Sequence, residues 1–187
     1  MTTILITGAS GQLGRLVVQQ LLERGVAAAD IVAGARQPES IADLGVRTVE
    51  LDYDRPSTVA AALEGVDRVL LVSSNAIGRR AEQHQVVIDA AAAAGVELLA
   101  YTSLFQATGS PLPLAAEHIA TEQAIAASGV PAVVLRNDWY TENYAADVAR
   151  AAESGVIAGS AGDGRVSSAS RVDYAAAAAV EIGRAHV

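Results

Sequence analysis

A β-branched apolar run over Thr3–Thr7 leads straight into Thr7-Gly8-Ala9-Ser10-Gly11-Gln12-Leu13-Gly14, and an amphipathic stretch begins at once behind it. Three glycines spaced three apart, between a strand and a helix, leave few ways to fold. Gly8 and Gly11 let the backbone turn tightly and approach a diphosphate with no Cβ in the way, and Gly14 lets the helix lie close on the strand. A helix starting there directs free N–H groups and the positive end of its dipole at the same spot. Gly8, Ala9, Ser10, Gly11, Gln12 and Leu13 are therefore the first expected cofactor contacts.

The same unit recurs downstream. Apolar runs lie near Ile31–Ala35, Arg47–Leu51, Arg68–Val72, Leu98–Thr102 and Ala132–Leu135. Helical patterns fill Gln12–Arg24, Ser57–Leu63, Arg79–Ala94, Leu114–Ala127 and Thr141–Ser154. Only Pro38–Leu44 separates the second and third strands, so that crossover is short or irregular. Strands apolar on both faces, alternating with helices, imply a parallel sheet covered on each side. The expected fold is α/β, a doubly wound parallel sheet of Rossmann type in one domain. Alanine-rich patches at Ala90–Ala94 and Ala175–Ala179 read as close helix packing.

Such sheets bind ligands beyond the carboxyl ends of their strands. Arg36 stands after the second strand, where an acidic residue would take the ribose 2′-hydroxyl of NAD. A guanidinium instead matches a 2′-phosphate through charge-assisted bonds worth about 1.5–3 kcal/mol each. That predicts about a ten- to hundredfold preference for NADP(H) over NAD(H). Asp52 and Tyr53 follow the third strand, beside the adenine. Ser73, Ser74 and Asn75 follow the fourth, at the ribose and pyrophosphate. Thr102 and Ser103 follow the fifth, near the nicotinamide ribose, and Arg136 and Asn137 follow the sixth.

Composition narrows the chemistry. Acidic residues outnumber basic ones 21 to 13, a net charge of −8, the wrong sign for a nucleic-acid surface. There is no cysteine, which removes disulfides, thiol nucleophiles and thiolate metal sites. All 13 cations are arginine, so Schiff-base chemistry, a P-loop lysine and the Tyr-x-x-x-Lys couple of ordinary short-chain dehydrogenases are also absent. Neither a basic leader nor an apolar stretch near the roughly 20 residues of a membrane span is visible. A cytoplasmic protein without a membrane partner is expected.

Three segments together resemble the NmrA-like proteins, which are atypical short-chain dehydrogenases/reductases. They are Ile6–Gly14, Ala100-Tyr101-Thr102-Ser103-Leu104 and Leu135-Arg136-Asn137-Asp138-Trp139-Tyr140-Thr141-Glu142-Asn143-Tyr144. Gly162-Asp163-Gly164-Arg165 and Ser168–Tyr174 fit the same pattern. Within the family the resemblance is strongest to bacterial NADPH:quinone oxidoreductases of the second type. It implies a quinone reductase that uses NADPH without flavin or metal, and often a homodimer when full length. It also implies cofactor and quinone contacts from the glycine loop, Arg36, Ser73, Ser74 and the stretch Arg136–Tyr144.

His118 and Glu122 occupy the helix that carries the Tyr/Lys pair in ordinary relatives, and Gln123 stands where a lysine is expected. The missing couple suits a quinone. Ketone reduction leaves an alkoxide that needs a strong general acid, whereas quinone reduction leaves a delocalised phenolate. Alignment could then supply most of the acceleration. Tyr140 or Asn143 is expected to orient the acceptor oxygen, with His118 a candidate acid. The main alternative is a non-catalytic NADP(H)-sensing regulatory binding protein. An epimerase or dehydratase ranks below it, because those enzymes need the tyrosine–lysine pair.

Glu181-Ile182-Gly183-Arg184-Ala185-His186-Val187 departs from the family pattern. Back-translated as GAG ATC GGA AGA GCA CAC GTC, it reads in frame as a common sequencing-library adapter. The native domain is accordingly expected to span residues 1–180 and to be truncated at its C-terminus, with 181–187 an adapter-derived tail. The family's further strand and small C-terminal lobe would then be missing.

Overall fold

The computed structural model describes residues 2–160 and 162–183, and in it six strands form one sheet. They are β1 (Ile4–Ile6), β2 (Ile31–Ala35), β3 (Arg47–Glu50), β4 (Arg68–Leu71), β5 (Leu98–Leu104) and β6 (Ala132–Asn137). All pairs are parallel, in the order β3-β2-β1-β4-β5-β6. This is the doubly wound Rossmann order, and its winding reverses between β1 and β4, where a crevice opens above the carboxyl ends.

Successive strand side chains face opposite sides of the sheet, so one strand feeds two cores. Ile4, Ile6, Ala33 and Leu70 enter one core with α1 (Gln12–Glu23) and α6 (Arg171–Gly183). Leu5, Val32, Val69 and Leu71 enter the other, with α2 (Pro56–Ala62), α3 (Arg80–Ala94) and α4 (Ala115–Ser128). The short second crossover is a 3-10 segment, Pro38–Leu44, held down by buried Ile41 and Leu44. β6 lies at the sheet edge and its residues are only partly buried.

Two regions depart from the pattern read in the sequence. Thr141–Ser154 is not one helix but a 3-10 turn, Thr141–Tyr144, followed by α5 (Ala145–Ser154), which buries none of its residues. At the other extreme, α6 packs Ala175, Ala178 and Ala179 wholly inside against α1. It continues into the segment expected to be a foreign tail, as far as Gly183. Ile182 is fully buried there, and its carbonyl accepts a hydrogen bond from Arg68 Nη1 at 3.1 Å. Residues 184–187 lie outside the described residues. Among those described, no helix is long and apolar enough to cross a membrane.

Candidate functional site

The crevice is a cleft of about 650 Å³ running from Arg36 at the end of β2 to Tyr140 and Arg171 beyond β6. Its floor is the turn after β1. Gly8 has a φ of +58°, and the Gly11 N–H donates to the Gly8 carbonyl at 2.9 Å, which closes the turn. A Cβ on Gly14 would lie 2.5 Å from that same carbonyl oxygen and 3.0 Å from Ala9 Cα, so α1 can rest on the loop only with glycine there. α1 begins without a side-chain cap, which leaves the first-turn N–H groups without intrahelical acceptors at the cleft. This cradle suits a diphosphate in both shape and polarity.

At the β2 end, Arg36 lines the cleft close to Asp52. The Asp52 carboxyl is partly desolvated, yet it titrates below the usual range. The Asp54 N–H at 3.1 Å, the Arg55 guanidinium at 3.1 Å and the nearby Arg36 charge outweigh the burial. Tyr53 points inward. Its hydroxyl lies 2.6 Å from Thr7 Oγ1 and 3.0 Å from the Val72 carbonyl, tying β1, β3 and β4 together beneath the ligand space. Burial and the loss of water push this phenol's pKa up.

The wall beyond β4 is held from behind. Every polar group of Ser74 is engaged by α3: its N–H donates to His84 Nε2 at 3.0 Å, its hydroxyl to Gln83 Oε1 at 2.6 Å, and its carbonyl accepts from Arg80 Nε at 2.6 Å. α3 is in turn held by α4. Glu117 Oε1 accepts the Gly78 and Arg80 N–H groups, and Thr121 Oγ1 lies 3.0 Å from His84 Nδ1. With Nε2 accepting from Ser74, His84 is a neutral ring protonated at Nδ1. Burial, reinforced by the Arg80 charge, holds its pKa down at about 3.

Of the residues expected from sequence, Gly8, Ser10, Gly11, Gln12, Leu13, Arg36, Asp52, Tyr53, Ser73, Ser74, Asn75 and Tyr140 converge on the cleft. The others do not line it. Ala9 is fully buried, and its N–H donates to the Gly34 carbonyl at 2.9 Å. Thr102 Oγ1 accepts the Ser73 N–H, Ser103 donates to Glu122 at 2.6 Å, and Arg136 pairs with Glu122 at 2.7 Å. The Arg136 hydrogen bond also keeps the Glu122 carboxylate ionised below its usual range, against partial burial. Asn137 donates to Tyr140 Oη at 3.2 Å, and Asn143 meets the cleft only through Arg171.

His118, expected as a candidate acid, does not line the cleft. It is buried against Tyr101, whose hydroxyl lies 2.7 Å from Nδ1, and burial lowers its pKa to about 4. Near neutral pH the ring is therefore a neutral imidazole rather than an imidazolium.

Asp54, Arg79, Arg80, Gln83 and Arg171 also line the cleft and were not read from sequence as contacts. Two placements signal four of them. Arg79, Arg80 and Gln83 begin the helix that follows β4, and Arg171 lies inside the motif Ser168–Tyr174 at the start of α6.

A 3-2-1-4-5-6 parallel sheet with a glycine cradle under an uncapped helix defines a nucleotide-binding Rossmann domain. The comparisons agree and are more specific. The chain belongs to the NAD(P)H-binding family, which matches residues 8–182. It is 50% identical over 185 residues to Quinone oxidoreductase 2 of Escherichia coli strain K12, covering 97% of this chain and 64% of that protein.

Two crystal structures are closely similar. The E. coli NADPH-dependent quinone oxidoreductase complexed with NADPH superposes with a TM-score of 0.93 at 49% identity, covering 98% of this chain and 65% of that one. The Citrobacter triphenylmethane reductase complexed with NADP(H) gives 0.92 at 39% identity, over 98% and 67%. The chain thus spans about 64% of the length of its E. coli relative.

Proposed function

We propose that this chain carries the cofactor-binding part of an atypical short-chain reductase that passes hydride from NADPH directly to a quinone. The observation that carries the reading is Arg36. It lies at the end of β2, in a cleft whose floor already suits a diphosphate. Among the described residues no ion pair neutralises it, so its guanidinium is available to a ribose 2′-phosphate. Likeness to the NADPH-complexed E. coli enzyme supports the same reading.

The fit is tested by the cradle itself. Side-chain-free Gly8, Gly11 and Gly14 and the open first turn of α1 would hold the pyrophosphate, with Arg36 on the adenosine side. The bound cofactor would supply the hydride. The protein's own groups bind, align and exclude water. The quinone accepts the hydride to become a hydroquinone monoanion, which takes one proton from water. Neither His118 nor Glu122 has to donate that proton, and the enclosure of the one and the ionisation of the other fit a site that works by alignment. Tyr140, in the cleft, and Asn143, beside Arg171, are the groups assigned to the acceptor oxygen.

The same commitment of His118 and Glu122 to structure also suits a protein that binds NADP(H) and does no chemistry. Loss of the reduced-nicotinamide absorbance on adding 1,4-benzoquinone to the chain with NADPH separates the two. Consumption above the uncatalysed rate supports the reductase; binding without consumption supports the sensor.

A further inference from the structure

Arg171 enters the cleft from the first turn of α6, and its guanidinium grips three residues of the segment that follows β6. Cζ lies 4.5 Å from the centroid of the Tyr140 ring. Nη2 donates to Asn143 Oδ1 at 3.0 Å, and Nη1 lies 3.5 Å from Glu142 Oε2. The Glu142 carboxylate also accepts the Arg171 backbone N–H at 2.9 Å, so the pair is fixed through main chain and side chain together. Only 16% of the Arg171 side chain is exposed.

These contacts set polarity. A side-chain amide has an acceptor end and a donor end. With Oδ1 of Asn143 committed to the guanidinium, Nδ2 is the end left for a ligand, and it can only donate. Tyr140 Oη accepts from Asn137, so its own proton is free to donate as well. Glu142 balances the Arg171 charge, so the arginine contributes pose more than field.

We propose that Arg171 is a positioning residue that holds Asn143 and Tyr140 as hydrogen-bond donors toward an acceptor oxygen that gains negative charge. The proposal rests on the quinone-reductase reading above. It makes α6, the last described element, part of the acceptor end of the cleft.

The test is a double-mutant cycle in the 187-residue chain: wild type, Arg171→Met, Asn143→Ala and the double variant. NADPH affinity is read from nicotinamide fluorescence, and turnover from NADPH consumption with 1,4-benzoquinone. Arg171→Met is expected to lower kcat about tenfold or more, as misplacement of a reacting group does, with a smaller change in NADPH affinity. In the Asn143→Ala background, Arg171→Met is expected to cost clearly less than it does in wild type, the mark of coupled residues, with the remainder due to Tyr140. Arg171→Lys keeps the charge without the planar fork and is expected to restore little.

Additive losses, an NADPH affinity that falls as far as the rate, or full rescue by lysine would each overturn the proposal while leaving the reductase reading intact. A wild-type chain that binds NADPH but never consumes it would overturn both.

Discussion

Replacing Gly14 by alanine sets two forces of opposite sign against each other, and the geometry decides between them. Gly14 sits in the first turn of α1, where alanine gains about 1 kcal/mol in helix propensity. A Cβ there would meet the Gly8 carbonyl oxygen at 2.5 Å, the Gly8 carbonyl carbon at 2.9 Å and Ala9 Cα at 3.0 Å. All three are backbone atoms and cannot turn aside as a side-chain tip can. Relief requires the helix to lift off the loop, against a core in which Val17, Val18 and Leu21 are fully buried. Overpacking of this kind costs about 1–3 kcal/mol. Three backbone contacts at 3.0 Å or less put this substitution in the upper half of that range, about 2–3 kcal/mol, so the net expectation is a loss of about 1–2 kcal/mol, or roughly 2–8 °C in Tm for a chain of this size. The same lift misaligns the open N–H groups, so NADPH affinity falls with stability. Thermal unfolding by circular dichroism and NADPH fluorescence titration read the two effects. An alanine variant as stable as wild type, or more so, would refute the close-contact argument and leave propensity in control.

Three further outcomes follow from the same structure. Arg36→Ala should weaken NADPH binding about 10- to 100-fold while leaving NADH nearly unchanged, as read by titration with both; equal losses would remove the 2′-phosphate assignment. His84 and His118 are held near pKa 3 and 4, below the 6.5 of an unperturbed histidine, so the unfolded chain takes up two extra protons as pH falls. Their stabilising effect is complete above about pH 6.5 and is lost toward pH 4, at a limiting slope of about 3 kcal/mol per pH unit; a Tm that stays flat from pH 7 to 5 would contradict their burial as neutral rings. Ile182→Ala should cost about 2–5 kcal/mol, because it empties a fully buried site between α6 and α1, whereas an unchanged Tm would make residues 181–183 passengers.

The sequence is most legible where one residue type has a single physical use. The strand signals land within a residue or two of β1 to β6, because runs such as Ile4–Ile6 and Leu98–Tyr101 must bury both faces. The glycine loop is legible for the same reason. α6 is not, since Ala175–Ala179 packs by smallness and offers no polar contrast from which to draw its bounds. Hydroxyls and amides are ambiguous in a different way. Thr102 and Ser103 sit near a strand end, as cofactor contacts should, but they do not line the cleft, and their hydroxyls are engaged with Ser73 and Glu122. Strand-end position can be read from one dimension; the partner that claims a hydroxyl cannot. Arg171 is the converse case, a cleft residue whose reach depends on α6 lying beside α1.

In the proposed reductase, α4 would support the cleft rather than supply an acid. Its polar residues form two stripes at helical spacing. Glu117 and Thr121 hold α3, and through it the Ser74 wall; His118 and Glu122 hold the end of β5 through Tyr101 and Ser103. The rings of Tyr53, His84, Tyr101 and His118 extend this support beneath the cleft in edge-on and tilted contacts 5.3–6.2 Å apart. Each candidate proton donor on the helix is thus spent on rigidity. Catalysis by alignment needs walls that do not yield when the acceptor binds, since a displacement of about 1 Å can cost about a hundredfold in rate. A helix relieved of acid chemistry can supply that stiffness, and an acceptor whose reduced form is a stable anion is the kind of substrate that permits the exchange.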